Sequence, residues 1–158
     1  MSKLTASYLA GLIDGEGCLE ILKRKKEACV GGYYYVARLR ISSVDKEIIE
    51  WLKNSFGGFI YYRKGKGNER DSWTWTIQFM KAKRIIDAVY PYLRIKKRQA
   101  EILKHFFATY KPESYKIVEN KIGKNGTGYH KELKDEIREK REKLHRQIRE
   151  LNRRGLAR

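Results

Sequence analysis

The segment that most constrains this chain is the nonapeptide at residues 9–17, which reads Leu-Ala-Gly-Leu-Ile-Asp-Gly-Glu-Gly. Its apolar residues predict a helix that is capped by Thr5 or Ser7 and runs to about Asp14. Two acids, Asp14 and Glu16, stand where this helix would end. The pattern therefore predicts a packing helix that delivers a carboxylate to one defined point.

Small residues mark one flank of this predicted helix. Ser7, Gly11 and Gly15 recur every four residues, so they lie above one another on the helix surface. A glycine inside a helix costs about 1 kcal/mol relative to alanine, and close backbone approach by another helix would compensate for that loss. Gly15 and Gly17 also suit a left-handed helix end. The two interpretations are compatible.

The composition indicates a folded protein with a polyanionic partner. The 158 residues are 41% hydrophobic, enough for one domain with a core, and carry a formal net charge of +17. Such an excess favours nucleic acid first and an anionic membrane surface second, although a basic surface can also serve solubility alone. No apolar run reaches the roughly 18 residues of a membrane span, so no membrane-spanning helix is expected. Nucleic acid is the partner we expect, and not a membrane.

The cysteines and the amino-terminal residues indicate an intracellular protein. Cys18 and Cys29 form no Cys-x-x-Cys pair and no zinc-like pattern with the three histidines. We expect both to be reduced thiols, with a disulfide as the alternative. The chain opens on no charged-then-apolar leader, so secretion is not expected.

Hydrophobic periodicity predicts an α+β domain built on one antiparallel sheet. After the first helix, the predicted segments are a strand around residues 19–24, a strand at 33–43, a helix after Asp45, strands at 59–63 and 72–79, a helix before Pro91 and a helix at about 96–110. In the last strand Trp73, Trp75, Ile77 and Phe79 would face the core. The order is helix, two strands, helix, two strands, helix, helix.

The other face of the predicted sheet is polar. It is dominated by arginine, threonine, serine and glutamine, whose side chains can pair with base edges and phosphates. A merely solvated face is the alternative, but such a face would mix both charge signs freely. The residues predicted to contact nucleic acid are Glu20, Arg24, Lys26, Arg38, Arg40, Ser42, Tyr61, Arg63, Thr74, Thr76 and Gln78.

The carboxyl-terminal part differs in character, which divides the chain into a core at residues 1–115 and a basic extension at 116–158. Residues 116–130 are polar and glycine-bearing and predict a loop or linker. Residues 131–158 contain 11 Lys or Arg and 6 Asp or Glu, a net charge of +5. One helical stripe in them holds Leu133, Ile137, Leu144, Ile148 and Leu151. This amphipathic helix could pack on the core, clamp a nucleic-acid backbone, or do both.

The residues available for chemistry are few. No Ser-His-Asp or Cys-His arrangement and no phosphate-binding glycine loop is evident. The candidates are Asp14, Glu16 and the basic run of Arg94, Lys96, Lys97 and Arg98. A carboxylate is a hard oxygen ligand that suits Mg²⁺. On a basic nucleic-acid binder, a carboxylate and metal site indicates phosphodiester hydrolysis, in which a nearby lysine could stabilise the transition state.

Residues 9–17 resemble the signature of the LAGLIDADG homing endonucleases, with Gly15 and Glu16 in place of its Ala-Asp ending. The resemblance covers roughly residues 7–110. It includes the αββαββα order, the Gly-Gly-Phe-Ile turn at 57–60, and the segment 91–100, which is similar to the family's Pro-aromatic-Leu-x-x-Lys-x-x-Gln-Ala run. It implies a saddle-shaped antiparallel sheet and cleavage of double-stranded DNA at long sites, usually to mobilise an intron or intein.

The resemblance also implies a role for each site residue. Glu16 would bind the metal together with the carbonyl of Gly15, the metal being Mg²⁺ or another divalent cation such as Mn²⁺ or Ca²⁺. Asp14 would cap the helix end and support the turn. Lys96 matches the family's active-site lysine. Ser43 matches a polar active-site position that is often glutamine, and its shorter side chain has less reach.

Only one copy of the motif occurs, which under this resemblance implies a homodimer. The flank with Ser7, Gly11, Leu12 and Gly15 would meet its own copy across a two-fold axis, and the two Glu16 carboxylates would converge over a pseudo-palindromic site. Two other functions fit the same fold: a maturase that binds intron RNA, and a DNA-binding regulator without catalysis. A ribosomal-type RNA binder fits the charge but leaves the nonapeptide unexplained.

Overall fold

A computed structural model of the chain describes residues 1–26, 32–122 and 126–153, with the side chains at 119–122 and 126–131 left out of the description. The elements are α1 (Lys3–Glu16), β1 (Gly17–Lys25), β2 (Tyr33–Ser43), α2 (Lys46–Phe56), β3 (Phe59–Arg63), β4 (Ser72–Gln78), α3 (Phe79–Val89), α4 (Lys97–Phe107), β5 (Tyr115–Ile122), β6 (Gly126–Leu133) and α5 (Asp135–Leu151). Short 3₁₀ turns at Tyr90–Tyr92 and Pro112–Ser114 flank α4.

The first four strands form one antiparallel sheet in the order β1-β2-β4-β3. This confirms the predicted α+β class and the αββαββα order. One face is covered by helices, and its core includes the fully buried side chains of Trp75, Leu39, Ile41, Leu19, Leu9, Ile13, Phe106 and Leu103. Every helix in the described ranges is too short or too polar to cross a bilayer.

Helix α1 begins earlier than the sequence predicted. Its N-cap is Ser2, whose Oγ accepts the backbone N–H of Thr5 at 3.1 Å. The prediction of a cap at Thr5 or Ser7 was wrong, because Ser7 lies inside the helix and its hydroxyl donates to the Lys3 carbonyl. The earlier start adds a turn in which Leu4 is exposed.

Helix α1 ends without a left-handed residue. Gly15 is still helical, and Gly17 has an extended backbone with φ of −80°. The alternative of a left-handed glycine end is therefore wrong. Glycine is nevertheless required at position 17 for space, because a Cβ there would lie 2.6 Å from the Ile13 carbonyl oxygen.

The strand predicted to reach residue 79 stops one residue earlier. Phe79 has a φ of +55° and starts α3, so the chain turns out of the sheet at this point. Its side chain is exposed rather than directed into the core, and the prediction that it shares the buried face of Trp75 was wrong. The regular alternation of the strand simply ends at Gln78.

The prediction of a loop at residues 116–130 was also wrong. Strands β5 and β6 form an antiparallel hairpin whose register runs from Tyr115 opposite Leu133 to Ile122 opposite Gly126. The glycines favoured a linker, but Gly126 and Gly128 lie within β6 and pair with Ile122 and Asn120. The predicted boundary after residue 115 falls at the start of β5.

Helix α5 packs along the outer edge of the sheet. Its Leu144 and Ile148 are buried, so the predicted amphipathic helix packs on the core, but Leu133, which was predicted to lie on the same stripe, belongs to β6. The His145 Nδ1 donates to the Ile21 carbonyl at 2.6 Å, and the Asn152 side-chain amide donates to the Leu19 carbonyl at 2.8 Å. Because both carbonyls belong to the edge strand β1, α5 satisfies backbone groups that would otherwise be open.

Candidate active site and nucleic-acid interface

The end of α1 is joined to the segment before α4 through Asp14. The two carboxylate oxygens of Asp14 accept the backbone N–H groups of Arg94 at 2.7 Å and Lys96 at 2.9 Å. In return, the Lys96 Nζ donates to the Asp14 carbonyl at 2.5 Å. These three hydrogen bonds bring residues about eighty positions apart together at one point. Asp14 is therefore a structural anchor for the lysine.

Glu16 is the last residue of α1, and its side chain is exposed beside this anchor. The Gly15 carbonyl lies in the final helical turn, where carbonyls have no donor within the helix and the helix dipole is negative. A carboxylate and a carbonyl at this end suit a hard divalent cation. Within the described ranges no three His, Cys, Asp or Glu side chains gather as metal ligands.

Ser43 lies at the same end of the sheet as Glu16. The residue two positions before it, Ile41, pairs with Gly17 at the start of β1. The Ser43 Oγ accepts the backbone N–H of Asp45 at 3.0 Å, so the serine helps to start α2. Its hydroxyl proton remains available for another acceptor, and its catalytic role stays a prediction.

The outer flank of α1 is apolar, small and open. Leu4 is 83% exposed and Tyr8 54% exposed. A Cβ added at Gly11 or Gly15 would meet no atom of the described chain within 4 Å. Ser7 is exposed on the same helix and Leu12 is partly buried against the core. Of the predicted interface residues, Ser7, Gly11 and Gly15 therefore lie on a surface that the described chain leaves uncovered, and Leu12 lies at its border with the core.

The polar face of the sheet follows the strand register. Cross-strand rows contain Glu20, Arg38 and Gln78, then Cys18, Arg40, Thr76 and Phe59, then Ser42, Thr74 and Tyr61, and finally Arg63 and Ser72. Ser42 and Thr74 join their hydroxyls at 2.8 Å. Arg24 and Lys26 are exposed towards the far end of β1. The structure thus brings most of the residues predicted to contact nucleic acid onto one surface.

Thr76 is an exception to this prediction. Its side chain is 3% exposed, and its Oγ1 has no hydrogen-bond partner among the described residues. It sits on the central strand between Arg40 and Phe59, which are both larger, so it lies too deep to contact a base. Phe59 itself was missed as a member of this face, although its period-two spacing from Tyr61 points to it.

A cluster at the far end of the sheet was not expected from the sequence. The Glu142 carboxylate of α5 accepts hydrogen bonds from Lys23 at 2.8 Å and from the Tyr35 hydroxyl. The Lys23 hydrogen bond is the main cause that lowers the pKa of Glu142 to about 2, followed by that of Tyr35. Burial, then the Glu142 carboxylate, raises the pKa of Tyr35. The cluster fixes α5 to both β1 and β2.

Comparison with known proteins gives one family and several related folds. The sequence profile of the LAGLIDADG endonucleases matches residues 9–104, more than half of the chain. No curated protein sequence matches significantly. Solved structures share the fold at low sequence identity.

The homing endonuclease I-CvuI, in complex with its Sro1.3 target and 2 mM Ca, has a TM-score of 0.71 and 14% identity over 99% of this chain and 87% of its own. The archaeal intron-encoded homing endonuclease I-Vdi141I, complexed with DNA, has a TM-score of 0.71 and 16% identity over 96% and 86%. A second I-CvuI structure, with the I-CreI target uncleaved in 2 mM Mg, has a TM-score of 0.57 and 19% identity over 68% of each chain.

Proposed function

This chain belongs to the LAGLIDADG endonuclease family, and we propose that it is a site-specific homing endonuclease that cuts double-stranded DNA as a homodimer with a divalent metal ion. The observation that supports this proposal best is the junction of Lys96 with the end of α1, next to the exposed Glu16. An exposed acid at the end of α1 and a lysine attached to that same helix end, on a strongly basic nucleic-acid binder, suit phosphodiester hydrolysis.

Glu16 and the Gly15 carbonyl are the ligands we propose for the metal, which would be Mg²⁺ or a related divalent cation. When bound, such an ion supplies a more acidic water and stabilises negative charge on the phosphate. I-CvuI was crystallised with Ca and with Mg, in keeping with this choice. The exposed position of Glu16 leaves room for a phosphate oxygen to approach it.

Lys96 would stabilise the charge that develops on the scissile phosphate. Its Nζ is held by the Asp14 carbonyl, and its backbone is held by the Asp14 carboxylate. This double attachment reduces the freedom of a flexible side chain, so the ammonium group is placed before substrate arrives. Ser43, at the same end of the sheet, would orient a water molecule through its hydroxyl.

A homodimer would complete the site. The open flank of α1 with Gly11 and Gly15 permits close approach of an identical helix across a two-fold axis. The exposed Leu4 and Tyr8 on the same helix would be covered in that arrangement. Two copies of Glu16 would then converge, so that both carboxylates contribute to one site. The joined polar faces would read a pseudo-palindromic DNA site.

The test is a cleavage selection from a randomised duplex library with Mg²⁺, followed by two variants on the selected site. Glu16→Gln should abolish cleavage while DNA affinity changes by a few fold. Lys96→Met should lower the cleavage rate by about 10²–10³, since its backbone hydrogen bond to Asp14 survives. The matched control is Lys97→Met, whose ammonium lies over the Tyr90 ring and should be dispensable.

Comparable cutting by Glu16→Gln would show that the metal ligand lies elsewhere. Equal losses of cleavage rate in Lys96→Met and Lys97→Met would mean that both lysines act only through their positive charge.

A further inference from the structure

The polar face of the sheet holds one acid among its cations. Glu20 on β1 lies opposite Arg38 on β2, and Arg40 is its diagonal neighbour. The Glu20 Oε1 accepts the Nε–H of Arg38 at 2.9 Å, and the same oxygen forms an ion pair with the Arg40 Nε at 3.2 Å. One carboxylate oxygen therefore holds two guanidinium groups side by side on the second strand of the sheet.

An acid in this place opposes binding to a polyanion. It cancels one of the two arginine charges, and it stands on the surface that would face phosphates and bases. With side-chain exposures of 23% and 18%, the Arg38–Glu20 pair is partly buried, and desolvation of the two charges offsets much of their attraction. Stability alone is therefore a weak reason for it. A role in orienting the arginines explains the arrangement better.

The contact through Nε is what makes such a role possible. A guanidinium group has five N–H donors in a planar fork, and four of them are on the two terminal nitrogens. With the Arg38 Nε hydrogen-bonded to Glu20 and the Arg40 Nε ion-paired with it, both guanidinium groups keep N–H donors on the terminal nitrogens at the end of the fork. The Arg40 side chain is 45% exposed, so its terminal nitrogens can be reached from outside. Guanine offers O6 and N7 as a matching pair of acceptors in the major groove.

We propose that Glu20 is a positioning residue for two guanine-reading arginines, Arg38 and Arg40. The inference rests on the proposed function and adds base identities to it. Two residues along a strand span about 6.8 Å, which corresponds to two steps of the roughly 3.4 Å repeat along a DNA strand. Each half of the target site therefore contains guanines, on either strand, no more than about two base-pair steps apart. The two-fold symmetry repeats them in the other half.

Two other assignments give different results. Glu20 itself could accept from the N4 amino group of cytosine, in which case its loss would affect one cytosine and the arginines would be dispensable for sequence preference. Alternatively, the group could be an ion pair without a role in recognition. Loss of Glu20 would then raise affinity equally for all sequences.

The experiment uses the full-length protein and the duplex obtained by cleavage selection. Binding is measured to this duplex, to duplexes with each half-site base replaced, and to random-sequence duplex, at several salt concentrations. Replacing a contacted guanine should weaken wild-type binding about tenfold or more. Arg38→Ala should remove the preference at one position and Arg40→Ala at the other.

Glu20→Ala should lower both guanine preferences by at least about threefold, while it tightens binding to random duplex and steepens the salt dependence by about one unit of slope. Glu20→Gln keeps an oxygen that accepts from Nε and should retain part of both preferences. Glu50→Ala is the charge-matched control on α2, where the acid pairs with Lys46, and it should leave the preferences unchanged.

A selected site without guanine at these positions would overturn the inference while the endonuclease proposal stands. So would a Glu20→Ala variant that binds all sequences more tightly by the same factor. A wild-type protein that neither binds nor cuts any duplex would instead remove the proposed function itself.

Discussion

Helices α1 and α5 both pack an apolar side against the central domain, yet their outer sides differ. Leu9 and Ile13 of α1 are buried, as are Leu144 and Ile148 of α5. The outer side of α1 presents Leu4, Ser7, Tyr8, Gly11 and Gly15, whereas that of α5 presents Lys140, Lys143, Arg146 and Arg149. A charged outer side is well solvated by water, while an apolar and glycine-lined outer side is suited to contact with a second protein surface.

The largest effect should come from filling the outer side of α1. Gly11→Leu should stabilise the monomer slightly, because leucine is a better helix former by almost 1 kcal/mol, and should block dimerisation. Overfilling costs about 1–3 kcal/mol for each of the two copies. Light scattering should show monomers, and cleavage should be lost.

The matched control for this change is Lys140→Leu on the outer side of α5, which should leave both assembly and cleavage intact. A dimer of normal affinity from Gly11→Leu would contradict the proposed role of this flank.

The inner side of α5 should give the next largest effect. Arg141 is buried, donates through Nε and a terminal nitrogen to the Thr109 hydroxyl and carbonyl at 2.8 and 3.0 Å, and stacks over the Phe106 and Tyr110 rings. Arg141→Ala should lower the free energy of unfolding by about 2–4 kcal/mol, since it leaves a cavity and an unpaired buried carbonyl. Chemical denaturation measures this difference.

Arg149→Ala removes the same side chain from the exposed side of α5. We expect a change within about 0.5 kcal/mol. Similar losses for the two arginines would mean that α5 is held by charge in general rather than by its buried side.

The smallest expected effect comes from changing Glu142 in its cluster with Lys23 and Tyr35. The pKa of Glu142 in the folded protein is about 2, below the ordinary value of 4.5. Glu142 therefore stabilises the fold above pH 4.5, and this contribution is lost as the pH falls towards 2. Glu142→Gln should lower the unfolding free energy at pH 7 by about 1 kcal/mol, after allowance for solvent screening. The unfolding free energy of the variant should also fall less than that of the wild type between pH 4.5 and 2. The same pH dependence in both proteins would argue against a stabilising role of this cluster.

The sequence predicted those elements whose signals are local. Asp45 caps α2 as expected, with its carboxylate accepting from Glu47 and Ile48. Strand β2 has the predicted limits because its alternation is long and regular. The hairpin at β5 and β6 was missed, since glycines near its turn outweighed a short alternating pattern.

The candidate site was predictable only as a set of residues. The nonapeptide and the 91–100 run indicated Glu16 and Lys96, but the Asp14 contacts that join them depend on the packing of segments far apart in the chain. The burial of Thr76 depends on the size of its cross-strand neighbours. The Glu142 cluster depends on where α5 packs on the sheet, whereas hydrophobic periodicity predicts only which side of the helix is apolar.

The placement of α5 on β1 has a consequence for handling the protein. While His145 and Asn152 donate to the Ile21 and Leu19 carbonyls, respectively, these groups of the edge strand cannot pair with another strand. If α5 detaches, a nine-residue edge strand with apolar side chains becomes available for intermolecular pairing. At low pH, or in the Arg141→Ala variant, the protein should therefore aggregate first, seen as turbidity and loss of soluble protein, before the rest of the fold is lost.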